Sequence, residues 1–340
     1  MSALPPNDYT SGRPWHRAYE RCQRLEKASE PSNADGKLMR ARLLGFMVRE
    51  APTDIGRTNM SNEINDCRDD SELYVLADMY LNHFVRCFRS KKGSTPAPSF
   101  HVSRPSFDDA QIRLSYLLQE APKNHSTAKE KALIRDGYRC VLSGKFDTMS
   151  YVRNPAALPF FHASPSAVSP TQAAHIFPDS TNQGISGENE GGSEASTVWT
   201  VMERFGQVNG EEELNGPNIH RLENVMTLNP EVHFYFDLLM LWLEATDEPN
   251  QYKIGASNPV IRQDLPQLVT FTTLDAHNLP LPSPRYLALH AACARVVNLC
   301  GAAEHIDTIV RDIETLCVLA KDGFSADVLS FALGQVAIAV

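Results

Sequence analysis

No apolar run in this 340-residue chain reaches the roughly 20 residues that a bilayer-spanning helix needs. The longest, FDLLMLWLEA and VLSFALGQVAIAV, stop well short, and the opening MSALPPNDYTSGRPWHRAYE lacks the apolar stretch of a secretory signal. The expectation is a protein with no membrane partner, located inside the cell in nucleus or cytoplasm. No CxxC pair occurs either. Cys22, Cys67, Cys87, Cys140, Cys293, Cys300 and Cys317 are scattered and odd in number, which excludes a fully paired disulfide framework and leaves reduced, mostly buried thiols. Positive charge is also short. With 32 Lys and Arg against 41 Asp and Glu the net charge is -9, so coating of nucleic acid by bulk electrostatics is excluded and any phosphate contact has to be local.

What is present is a 42% hydrophobic chain, enough to build cores for two or three domains. RPWHRAYERCQRLEKAS, DGKLMRARLLGFMVREA and ELYVLADMYLNHFVRCFR carry apolar residues at helical spacing, the last started by Asp70 or Ser71, and predict a three-helix N-terminal region over 1–98. SKKGSTPAPSFHVSRPS reads as a surface linker and puts a boundary near 91–107. Helices follow at about 108–120 and 126–136, the second ended by Asp136-Gly137, after which YRCVLSG reads as a strand with Cys140 buried in it. Residues 178–217 are a long insertion rich in Gly, Ser, Asn and acidic residues. It holds a short helix at STVWTVMERFG with Val198, Met202 and Phe205 on one face. Beyond 247 the C-terminal region is mainly helical, with strands at QYKIG and QLVTFTT and a helix started by Pro282 and Pro284.

Chemistry concentrates between these regions. In HRLENVMTLNPEVHFYFDLLMLWLEA, Asn229-Pro230 is a strong helix start, the Asn side chain capping free N–H groups and Pro losing nothing at the first position. A helix is predicted over 230–245, with Phe234, Leu238 and Leu241 toward the core. His233 and Asp237 then lie one turn apart on one face, a half-site for a divalent ion, although such a pair is also an ordinary surface hydrogen bond. Upstream, TQAAHIFP reads as a strand delivering His175 to a turn, and LENVMTL places Asn224 just before a second strand.

The order of strand ending in His175, loop, Asn224, strand and helix with His233, carried by RDGYRCVLSG, AAHIFP, LENVMTL and HFYFD, resembles the HNH endonucleases, in particular their variant form. The resemblance spans about 129–245. It implies an α+β class: a ββα-metal central domain over 108–246 with the long loop insertion, flanked by the mainly helical regions 1–98 and 247–340. It further implies metal-dependent hydrolysis of DNA phosphodiesters. His175 would be the general base and His233, with Asp237 by position, the holder of a divalent ion. Asn224 would fix the loop so that His175 keeps its aim. Mg²⁺ or Mn²⁺ is favoured over Zn²⁺, because the residue before the first histidine, often a ligand in the family, is Ala174, and Gln172 is a poorer donor than a carboxylate. The two CxxC pairs that hold a structural zinc in some HNH proteins are absent.

Nucleic-acid contacts are expected from the local basic surplus of Lys123, Lys129, Lys131, Arg135, Arg139 and Lys145, a pattern that also fits a solvated helix face. His220 reads as an extra ligand, a phosphate contact or a plain loop histidine. Ala174 keeps a second function in view, an HNH-like domain that has lost a ligand and serves as a nucleic-acid or protein interaction module.

Overall fold

The computed structural model describes residues 1–30, 36–82, 88, 122, 124–178 and 191–304. The predicted linker at 91–107, the helix at 108–120, Lys123 and the helices expected beyond 304 lie outside the described residues. In chain order the helices are α1 (Pro14–Ser29), α2 (Lys37–Glu50), α3 (Asp54–Asp66), α4 (Asp70–Tyr80), α5 (His125–Arg135), α6 (Thr148–Arg153) and α7 (Leu158–Ala163). They continue as α8 (Gly191–Gly206), α9 (Gly210–Leu214), α10 (Pro230–Asp237) and α11 (Pro284–Cys300). The strands are β1 (Phe146–Asp147), β2 (Val168–Ser169), β3 (Gln172–His175), β4 (Val225–Leu228), β5 (Leu241–Ala245), β6 (Gln251–Ala256) and β7 (Leu268–Thr270). The class is mixed helix with small sheets, and among the described residues no helix is long and apolar enough to cross a membrane.

The chain forms two units, each discontinuous in sequence. The first holds the described residues of Met1–Cys87, Asp179–Gly210 and Ala292–Val340 and is helical. α1, α2 and α4 fall where hydrophobic spacing placed them, although α4 is capped by Asp69, one residue earlier than expected. α3 was not anticipated. Its only large apolar residues buried are Met60 and Ile64, one turn apart, which is too little to register as a periodic face. The Thr53 hydroxyl starts it by accepting the Gly56 N–H at 3.0 Å. The region read as a loop insertion is helical from 191, with Met202 and Phe205 buried. α3 and α8 approach so closely that a Cβ on Gly56 would stand 2.0 Å from the Phe205 carbonyl oxygen, which only glycine permits.

The second unit holds the described residues of Phe88–Pro178 and Glu211–Ala291. At its centre β3 and β4 pair antiparallel, Gln172 opposite Leu228 and His175 opposite Val225, packed against α5 and α10. Side chains alternate across a strand. Ala173 faces α5, joining Ala128, Ala132, Leu222 and Val225 in a small apolar core, and His175 shares that face. Gln172 and Ala174 therefore point the other way, toward α10.

Three expectations are corrected in this unit. α10 ends at Asp237 rather than 245, because Leu239 takes a left-handed conformation (φ 58°) and the apolar run after it becomes β5, paired antiparallel with β6. A short apolar run serves a buried strand as well as a helix. The residues that α10 and its end bury are Val232, Phe236 and Leu239, while Phe234 is 54% exposed. Finally, YRCVLSG is no strand but a turn with one bridge, Arg139 to Phe146, and the buried Cys140 sits in that turn. β6, β7 and the start of α11 at Pro284 match the reading.

Candidate active site

α5 begins at Asn124, which exchanges hydrogen bonds with Thr127 in a capping box, and this sets His125 in the first turn. At the other end Arg135 is buried. Its guanidinium pairs with Asp136 at 2.7 and 3.0 Å and donates to the carbonyls of Leu222, Val225 and Pro280 at 2.8, 2.7 and 3.1 Å. Asp136 in turn accepts the Thr227 N–H at 2.9 Å. The pair locks the end of α5 to β4, so Arg135 is engaged inside the protein and not presented to a phosphate. Arg139 is tied likewise: it donates to Phe160 O, Ser164 O, Gly144 O and Ser166 Oγ and lies over the Phe146 ring, and burial lowers its pKa. Lys131 is buried at 3% exposure. Lys129 and Lys145 are half-buried, as is Arg139.

Asn224 is fully buried at the start of β4. Its Oδ1 accepts the Phe177 N–H at 2.9 Å, and its Nδ2 donates to Phe177 O at 3.0 Å and to Ile219 O at 2.8 Å. Its backbone carbonyl takes the Ile176 N–H at 2.8 Å. One amide thus closes both ends of the long excursion between β3 and β4, with every polar atom of the amide bonded. Phe177 lies two residues after His175 and Ile219 is adjacent to His220, so the same side chain holds the backbone that carries both histidines.

Those two histidines touch. His175 Nε2 and His220 Nδ1 are 3.1 Å apart, their rings edge to face, and the His125 ring lies 5.6 Å from that of His175, centroid to centroid. Burial first, then the neighbouring His220, His125 and His233, push the His175 imidazole down to about 3, and Asp237 opposes them. His175 is therefore neutral throughout the cellular pH range, with one ring nitrogen able to accept a proton.

On α10, near enough to act on the His175 imidazole, His233 makes different contacts. Its Nδ1 bonds Gln172 Oε1 at 2.7 Å, and its Nε2 stands 3.2 Å from Asp237 Oδ1. Gln172 Oε1 is an acceptor, so Nδ1 carries the hydrogen and the Nε2 lone pair faces a carboxylate oxygen. Two lone pairs at that separation call for a shared cation, a proton or a metal ion. Among the described residues no group of three or more His, Cys, Asp or Glu side chains converges as a metal site. The His233 nitrogen and the Asp237 oxygen are two donors of the kind a hydrated divalent ion takes. Gln172 orients His233, a contact that strand alternation alone did not reveal.

The helix start was read correctly but its cap was not. Asn229 makes no capping bond; its Oδ1 accepts instead from Ser143 Oγ at 3.1 Å and Cys140 Sγ at 3.2 Å. The turn over 140–143 thereby steadies the first residue of α10. His125 was missed altogether, since nothing in the local sequence links it to a strand 50 positions on.

Residues 140–244 match the family model described as HNH endonuclease. The match takes in His175, His220, Asn224, His233 and Asp237 and leaves His125 outside. No curated protein and no solved structure matches the chain. The segment is an HNH domain, and the nuclease type of that family is the coarse functional class it carries.

Proposed function

We propose that this protein is a metal-dependent endonuclease that hydrolyses phosphodiester bonds of DNA. The observation that carries the reading is the packing of β3, β4 and α10, which brings a neutral histidine and a His–Asp pair close enough to act on one another. His233 and Asp237 would hold a divalent ion, Mg²⁺ or Mn²⁺ before Zn²⁺, given two protein ligands and none at Ala174. Bound there, the ion would supply Lewis-acid stabilisation of charge on the scissile phosphate and its leaving oxygen.

The chain's own residues do the rest. His175, neutral by burial, accepts the proton of the attacking water as the water oxygen bonds to phosphorus and the bond from phosphorus to the leaving oxygen breaks, that oxygen taking a proton from solvent. A bound phosphodiester places negative charge beside the imidazole and raises its proton affinity from the low value of the free protein, toward the range in which a base works best. Asn224 holds the strand end that aims it, and Gln172 keeps the His233 lone pair directed at Asp237. Lys129 and Lys145 would bind backbone phosphates as point charges. The buried Arg135 guanidinium has structural partners and is not presented to a phosphate, and any electrostatic affinity for nucleic acid is salt-sensitive.

Ala174 is fully buried and cannot ligate, which favours one competing reading, a binding module without catalysis. Plasmid nicking by the purified chain with Mg²⁺, Mn²⁺ or EDTA separates the two. Metal-dependent nicking abolished in both His175→Ala and His233→Ala is the expected result. A folded wild-type protein that fails to nick DNA with either metal, yet still binds it, would establish the binding module.

A further inference from the structure

We infer that His220 is the positioning residue of the site: its Nδ1 accepts a hydrogen bond from His175 Nε2–H, which fixes His175 in the tautomer whose Nδ1 lone pair faces the reacting water. This rests on His175 being the base of the proposed nuclease.

The two ring nitrogens lie 3.1 Å apart. One hydrogen lies between them, and its owner decides both tautomers. If His220 donated, both neutral rings would have to carry hydrogen on Nδ1, the form a histidine side chain disfavours. If His175 donates, both carry it on Nε2, the form each prefers by itself. The second assignment satisfies both rings at once. It leaves His175 Nδ1 with its lone pair unoccupied by this contact, which is the nitrogen a general base requires.

The pairing is built rather than incidental. His220 ends a short 3₁₀ turn, Gly216–His220, whose Ile219 carbonyl is held by Asn224 Nδ2 at 2.8 Å. The same amide holds both backbone groups of Phe177, so the spacing between the histidines is set by one fully buried side chain. The other titratable groups facing His175 are His125 from α5 and His233 and Asp237 from α10. Of these four, His220 is the one at hydrogen-bond distance from a nitrogen of the His175 ring. When His175 takes the water proton on Nδ1, the water O–H bond breaks and the new N–H forms. The Nε2–H stays directed at His220, whose lone pair stabilises the imidazolium.

The test is the tautomer itself, read without turnover from ring-nitrogen shifts of ¹⁵N-histidine-labelled full-length protein at neutral pH. His175 is expected as Nε2–H in the wild type, as a tautomer mixture in His220→Ala, and as Nε2–H again in His220→Asn, whose Oδ1 takes the place of the imidazole Nδ1. In nicking assays His220→Ala is expected to lower kcat about 10- to 100-fold with KM within about twofold, and His220→Asn to restore most of it. An Nδ1–H signal for His175 in the wild type overturns the inference, even if His220→Ala does not fold. So does a folded His220→Ala with an unchanged tautomer. A wild-type protein with the expected tautomer that nicks nothing overturns the nuclease reading and leaves the pairing in place.

Discussion

Two histidines close to the β3–β4 pair present the same side chain in different settings. His175 is buried beside other imidazoles and held neutral; His233 sits between the Gln172 amide oxygen and the Asp237 carboxylate. The contrast teaches that neighbouring elements, not the residue type, decide what an imidazole can do.

Breaking the clasp that holds the backbone beside His175 and His220 should have the largest effect. Asn224→Ala strands the Phe177 N–H and the carbonyls of Phe177 and Ile219. At about 1 kcal/mol or more for each orphaned group, a loss of roughly 3 kcal/mol is expected in urea melts, together with all nicking. Retained nicking in that variant would mean that the clasp is not what assembles the site. The single histidines sharpen the comparison. His175→Ala and His233→Ala should each lower nicking by about 10²-fold or more. Mn²⁺ binding followed by calorimetry should weaken only in His233→Ala, and equal weakening in both would erase the distinction between the two histidines.

The next effect is on stability and pH. The unfolded chain protonates a histidine near 6.5, whereas folded His175 does so at about 3 and the buried His290 at about 4. Both folded values are depressed, so the unfolded state binds more protons as pH falls and the fold weakens below about 6.5, each group adding up to about 1.4 kcal/mol per pH unit until its folded value is reached. Urea melts at pH 7 and pH 5 should show the decline, and His175→Ala should flatten it. No difference between wild type and variant would mean that His175 titrates normally.

Smaller still, Gln172→Ala should weaken metal binding about 10- to 100-fold while leaving the His175 tautomer as it was. Smallest are the surface charges: Lys129→Gln and Lys145→Gln should each lower the salt slope of DNA binding by about one and leave cleavage position unchanged.

His175, Asn224 and His233 were legible because a fixed order of strand, loop, strand and helix carries them, and period two and a Pro at the helix start are local signals. His220 was visible as a residue but not as a partner, since its 3.1 Å contact spans 45 positions and depends on the Asn224 clasp. His125 needs the packing of α5 on β3 before it means anything. Arg135 and Arg139 misled for a physical reason: a string of cations along a helix and turn looks solvated, and only the carbonyls that tertiary folding brings to them show otherwise. The apolar run after Asp237 fits helix and strand alike, and the left-handed Leu239 that decides between them leaves no mark in composition.

The path of the chain between the two site strands has a consequence for how the protein is made. Phe177 and Asn224 are 47 positions apart, and part of what lies between them, α8 among it, belongs to the other unit. As the polypeptide leaves the ribosome, β3 emerges with its histidine and no strand to pair with, and it must wait for β4 while a separate core takes up the intervening helix. The candidate site is thus a high-contact-order element, closed late, and until then the edge of β3 is exposed to pairing with other chains.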